Sequence, residues 1–126
     1  MRLNQITVPA LDLDRSIAFY QTLGLKLIVK NETYARFELP DGEATFSVHL
    51  RDMADGAAHG ARIYLECENL DGLVEELKAK GIVFDTDPAD QSWLWREAWL
   101  SDPAGVKLCL YYAGKNRRFP PWRIEG

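Results

Sequence analysis

One pattern occurs twice in this chain, and it limits the fold more than any other feature. "LDLDRSIAFYQTLGLKL" and "CENLDGLVEELKAKGIVF" share a plan in which Asp12-Leu13-Asp14 corresponds to Asn69-Leu70-Asp71 and, at the same spacing, Gly24 to Gly81. Alternating residues precede each stretch and an apolar, strand-like segment follows it. "PDG" at 40–42 is echoed by "DPAG" at 102–105, each turn introducing a further strand. The 126 residues therefore divide into two copies of one supersecondary unit, about 1–56 and 57–114, joined near "RDMADGAAHGA" and followed by a tail, 115–126.

The helices carry their own start and stop signals. Asp12 and Asn69 are N-cap residues, able to accept a bond from a free first-turn amide. Ile17, Tyr20 and Leu23 form one apolar stripe; Leu70, Leu73, Val74 and Leu77 form the other. Gly24 and Gly81 can take the left-handed conformation that closes a helix. The strands show period two. Ile6 and Val8 oppose Gln5 and Thr7; Phe46, Val48 and Leu50 oppose Ser47 and His49. Ile63, Leu65 and Cys67 oppose Arg62, Tyr64 and Glu66; Val106, Leu108 and Leu110 oppose Lys107, Cys109 and Tyr111. One side of each strand is apolar and suits a covering helix. The other mixes polar, charged and aromatic groups and suits a ligand cavity.

Composition narrows the function. The net charge of −4 opposes nucleic acid, whose binding draws on Lys and Arg. The basic tail, with Lys115, Arg117, Arg118 and Arg123 around Phe119 and Trp122, is expected to pack its Trp and prolines on the domain or a partner subunit. An interaction module using that tail is a further reading. No apolar run approaches the roughly 18 residues of a membrane span, and no signal-peptide pattern follows Met1, so a cytoplasmic location is expected. Cys67 and Cys109, the two cysteines, are expected to be free thiols.

The stretches "DLDRSIAFYQTLGL", "ENLDGLVEELKAKGI" and "SDPAGVKLCLYY" resemble the signatures of the vicinal oxygen chelate superfamily, the glyoxalase, bleomycin-resistance and ring-cleaving dioxygenase group. The resemblance implies an α+β fold of two βαβββ modules, whose strands form a curved mixed sheet, a half-barrel, around a central cavity with the helices on its outer face. It also implies a homodimer, with modules pairing within or between subunits. Metal-dependent members place one ligand on the first and one on the last strand of each module. Carried onto this chain, those places fall on Gln5, where histidine is usual, on Arg62, on Cys109, where glutamate is usual, and near Ser47, with His49 two residues on.

That set suits a cation poorly. Gln5 and Ser47 are weak neutral ligands, Arg62 repels a divalent ion, and a zinc site needs about three or four good N, S or O donors. The expected reading is a small-molecule-binding protein of the glyoxalase/bleomycin-resistance type without a metal cofactor. The alternative is a divalent-metal-dependent lyase, isomerase or dioxygenase with a rearranged site that uses His49, Glu66 and Gln5. Arg62 offers a planar fork to a ligand's carboxylate or phosphate, or else pairs with Glu66 or Glu97. Trp93 and Trp95 either fill the cavity mouth and an interface or form a wall that stacks a flat or cationic ligand; Trp99 reads as structural. The candidate ligand-binding residues are thus Gln5, Ser47, His49, Arg62, Glu66, Trp93, Trp95 and Cys109. The ligand is expected to carry an acidic group near Arg62 and a flat portion near Trp93 or Trp95.

Overall fold

Asp12 and Asn69 start the two helices as their residue types dictate. In the computed structural model, which describes residues 1–51 and 61–124, the Asp12 side chain accepts from the amide of Arg15 and the Asn69 side chain from that of Gly72. His59, which reads from the sequence as an exposed loop residue, lies outside the described residues. Helix α1 spans Leu13–Leu23 and α2 spans Leu70–Ala79. Gly24 and Gly81 follow them at φ 108° and 94°, the left-handed region that only glycine adopts cheaply.

The strands are β1 (Gln5–Ala10), β2 (Lys26–Lys30), β3 (Tyr34–Glu38), β4 (Thr45–Leu50), β5 (Arg62–Glu66), β6 (Ala89–Asp90), β7 (Arg96–Ser101) and β8 (Lys107–Tyr112). They form two four-stranded sheets, ordered β1-β4-β3-β2 and β5-β8-β7-β6. In each sheet the module's first strand runs parallel to its last, β1 beside β4 and β5 beside β8. The architecture is α+β and consists of two βαβββ modules.

The chain forms two compact units. The first comprises Met1–Ala61 with Ser101–Val106, the second Arg62–Leu100 with Lys107–Gly126. In the first, α1 covers the apolar face of its sheet. Tyr20 is fully buried there, with ring centroids 4.6 Å from Phe46 and 5.9 Å from Phe37. The turn after β7 is part of this core. The Tyr20 hydroxyl donates to Asp102 Oδ2 at 2.6 Å, and Asp102 Oδ1 accepts from the amides of Ala104 and Val106 at 2.8 and 2.9 Å. In the second unit, Leu70, Val74 and Leu77 of α2 are buried, as are Leu108 and Leu110 of β8.

The repeat is imperfect at one place. A strand is expected after Gly81 to match β2, but the chain there runs without one until the two-residue β6. Pro88 has no amide to give a ladder. Asp85 and Thr86 instead donate their amides to the carbonyl of Trp99, and Val83 stands exposed.

Candidate functional site

The mixed face of the second sheet is built by register. Arg62 lies opposite Lys107, Tyr64 opposite Cys109 and Glu66 opposite Tyr111, so these six share a side. Trp95, Glu97 and Trp99 stand two residues apart around and along β7 and bring their side chains to the same aromatic group. Tyr64 is its hub. Its ring meets Trp95, Trp99 and Tyr111 edge-on, with centroids 5.9, 5.6 and 5.8 Å away. Trp95 stacks on Tyr111 at 4.6 Å.

A cavity of about 580 Å³ opens on this group, lined by Arg62, Tyr64, Gln91, Trp93, Trp95, Glu97 and Trp99. Its volume is ordinary for a small-molecule site. Glu97 is buried, and indole N–H groups hold both its oxygens: Trp93 Nε1 at 2.7 Å and Trp99 Nε1 at 3.1 Å. Arg62 is exposed and sets its guanidinium over the Trp99 ring, 5.7 Å from the centroid. Among the described residues it forms no ion pair, with Glu66, Glu97 or any other carboxylate. The other charges near this edge are neutralised: Arg96 bridges Asp71 and Asp90, and Lys78 pairs with Asp87.

The cavity rim carries a strained residue. Leu94, between Trp93 and Trp95, has φ 68°. It closes the turn in which its amide bonds the Gln91 carbonyl while the Gln91 amide bonds that of Trp95. A branched side chain in this region costs about 1–2 kcal/mol. Leu94 is half exposed, so little packing offsets that cost. Leu94→Gly is therefore expected to raise stability by up to about 1 kcal/mol in urea unfolding, the gain being reduced by the added freedom of the unfolded chain. A loss of stability would mean that the Leu94 side chain packs more than its exposure indicates.

The remaining candidates have other partners. Glu66 Oε2 accepts from the amides of Ala113 and Gly114, both at 2.9 Å, and so fastens the chain as it leaves β8; Arg117 lies 4.0 Å from its other oxygen. Cys109 is wholly buried beside Tyr111, Trp95 and Trp99. Burial, with the Glu97 charge, pushes its thiol up to about 12. Cys67 is likewise pushed up to about 11 by burial and by Glu66. In the first unit, Thr45 Oγ1 donates to Gln5 Oε1 at 2.8 Å. Ser47 is buried and its hydroxyl lies 2.6 Å from that of Tyr34, which also accepts from Arg36 Nε at 2.9 Å. Burial alone would raise the Tyr34 phenol, but the Ser47 and Arg36 hydrogen bonds and the Arg36 charge outweigh it and lower the phenol below its usual range. His49 is exposed, its ring 6.4 Å from that of Tyr34.

These partners bear on how well the four places suit a cation. The four inherited places offer an amide oxygen bonded to Thr45, a hydroxyl bonded to Tyr34, a guanidinium and a thiol held protonated by burial. Among the described residues no three of His, Cys, Asp and Glu gather as a cation site. The donor set does not fit a divalent metal.

Arg117 of the tail reaches Glu66, while two other tail cations stay within the tail. Arg118 and Arg123 stack on Phe119, 5.4 and 4.4 Å from its centroid, and Trp95 Nε1 donates to the Asn116 carbonyl at 3.4 Å. Trp122, expected to pack, is 57% exposed.

Comparison with known proteins places the fold. Residues 2–110 match the model of the Glyoxalase/Bleomycin resistance protein/Dioxygenase superfamily. The chain belongs to that superfamily. Three solved proteins share its fold. One, from Nocardioides, superposes with a TM-score of 0.79 at 21% identity, covering 99% of this chain and 90% of its own. A second, from Sphaerobacter thermophilus DSM 20745, gives 0.74 at 22%, covering 89% and 97%. A third, a bleomycin-binding protein complexed with bleomycin, gives 0.69 at 21%, covering 89% and 98%. At these identities superfamily membership fixes the fold and leaves the ligand to be argued from the residues.

Tyr64, Gln91, Glu97 and Trp99 line the cavity without having been read as ligand residues. Period two holds the signal for three of them. Tyr64 lies between Arg62 and Glu66 on the mixed face, and Glu97 and Trp99 follow Trp95 at steps of two.

Proposed function

We propose that this superfamily member binds a small organic ligand in the cavity of its second unit, independently of metal. One observation carries the reading: Arg62, at an aromatic-walled cavity, is stacked on Trp99 with no carboxylate partner among the described residues. A guanidinium placed over a ring and free of a carboxylate keeps N–H donors for a planar acid. The ligand's acidic group meets Arg62 and its flat body lies on Trp93, the most exposed ring of the wall, beside Trp95. The bleomycin complex of a relative supports ligand capture on this fold. The homodimer and the cytoplasmic setting belong to the same proposal; the homodimer rests on the resemblance. No helix among the described residues is long and apolar enough to cross a membrane.

Titration with 2-naphthoate tests the reading, with tryptophan emission as the signal. Saturable quenching is expected, and Arg62→Ala should weaken it on the order of tenfold or more, the worth of a charge-assisted bond. Protein purified without chelator should carry no stoichiometric metal. One metal per chain, lost in His49→Ala, would favour the metal-dependent alternative and defeat this proposal.

A further inference from the structure

Two opposite charges line the cavity and do not meet. Glu97 is 4% exposed, and both donors it accepts from are neutral indoles. Among the described residues no cation pairs with it. Buried carboxylates are ordinarily paired, because an uncompensated charge in a dry site is costly. Arg62 lines the same cavity and is the natural partner, yet it does not pair with Glu97. Trp99 serves both: its N–H is on Glu97 and its face is under Arg62. The ring thus keeps the positive and negative groups apart within one cavity.

A ligand of a single sign would suit only half of this arrangement. An anion held by Arg62 would be repelled by Glu97, and a cation drawn to Glu97 would be repelled by Arg62. The indoles also favour a cation. An N–H bound to a carboxylate feeds electron density into its ring, which strengthens the attraction of the ring face for positive charge. Trp93 and Trp99 are both so bound, and Trp93 is 44% exposed.

We propose that the ligand is an aromatic zwitterion whose acidic end engages Arg62 and whose ammonium or similar cationic end sits on the Trp93 side, backed by Glu97. The proposal rests on the binding function above and refines it. With both ends engaged, neither Arg62 nor Glu97 is left uncompensated.

A matched series separates the two levels. The probes are 4-(aminomethyl)benzoate, which is zwitterionic, 4-methylbenzoate, which has only the acid, and 4-methylbenzylamine, which has only the cation. Calorimetry on the full chain is expected to find the zwitterion bound on the order of tenfold more tightly than either single-charge analogue. Glu97→Gln should erase that preference and strengthen 4-methylbenzoate, since the repelling charge is gone. If Glu97→Gln fails to fold, because the Gln NH2 group would face one of the two indole N–H groups that now sit on separate oxygens, the wild-type series still decides. Binding of 4-methylbenzoate as tight as that of the zwitterion would overturn this inference and leave the proposed function standing. No binding by any of the three at millimolar concentration would overturn both.

Discussion

Asp102→Ala is expected to destabilise the protein by about 3 kcal/mol or more, since removing an acceptor costs roughly 1–3 kcal/mol for each buried donor left unsatisfied. Three donors depend on this side chain: the Tyr20 hydroxyl and the amides of Ala104 and Val106. Tyr20 is fully buried and Asp102 is 5% exposed, so water has little access to replace the carboxylate. Asp102→Asn keeps the acceptor for both amides and should lose markedly less. The effect also depends on pH. Burial pushes the Asp102 carboxyl above its usual range, although the hydrogen bonds from Tyr20 and from the amides of Val106 and Ala104 pull it down. The folded state therefore holds this proton more tightly than the unfolded chain does. The contribution of Asp102 is then largest below the ordinary carboxylate value and declines as pH rises through the folded one. The stability gap between wild type and Asp102→Ala should widen as pH falls from neutral toward the ordinary carboxylate range. Urea unfolding at several pH values checks this. A loss under about 1 kcal/mol, less than one buried donor is worth, or a gap that narrows on acidification would show that the turn carries no such weight.

What the sequence disclosed and what it hid follow from the range of the interactions involved. The caps at Asp12 and Asn69 and the closing glycines were legible because they depend on neighbours within one helical turn. The two faces of β1, β4, β5 and β8 were legible because pleating imposes period two. The missing partner of β2 was not, because an apolar "GIVF" reads as a strand until Pro88 and the bonds from Asp85 and Thr86 to Trp99 are known. Nor does the repeat reveal which of its turn aspartates is buried. Asp41 and Asp102 occupy echoing turns, yet Asp41 is exposed and Asp102 is inside, because only Asp102 meets a buried tyrosine 82 residues away. At the site, the readiness of Arg62 depended on its having no carboxylate partner among the described residues, which no local pattern encodes. Glu97, offered by the sequence as a candidate partner for Arg62, instead accepts from Trp93 and Trp99, and one of those bonds spans the left-handed turn at Leu94.

The turn at Asp102 also bears on whether one repeat can stand alone. A chain ending at Ala61 is expected to be unfolded, although it holds the whole first sheet and α1. The first compact unit is not the first repeat: it includes Ser101–Val106, which the second repeat supplies. Without that segment, the Tyr20 hydroxyl loses its acceptor, and the packing of Ala104 and Val106, 6% and 5% exposed in the full chain, is lost. A single core in a domain below about 70 residues rarely supplies more than 3–5 kcal/mol, so a loss of about 3 kcal/mol consumes most of it. Far-UV circular dichroism and urea unfolding of residues 1–61 should show little structure and no cooperative transition. Tyr20→Phe in the same fragment removes the orphaned hydroxyl and should recover part of the structure, because an apolar ring asks for no partner. Cooperative unfolding of fragment 1–61 with a stability close to that of the full chain would mean that the repeat is self-sufficient. The 101–106 turn would then be an ornament of the fold and no part of its core. The expected failure instead makes the second repeat a structural component of the first, since the chain passes from β7 into β8 through the first unit's core.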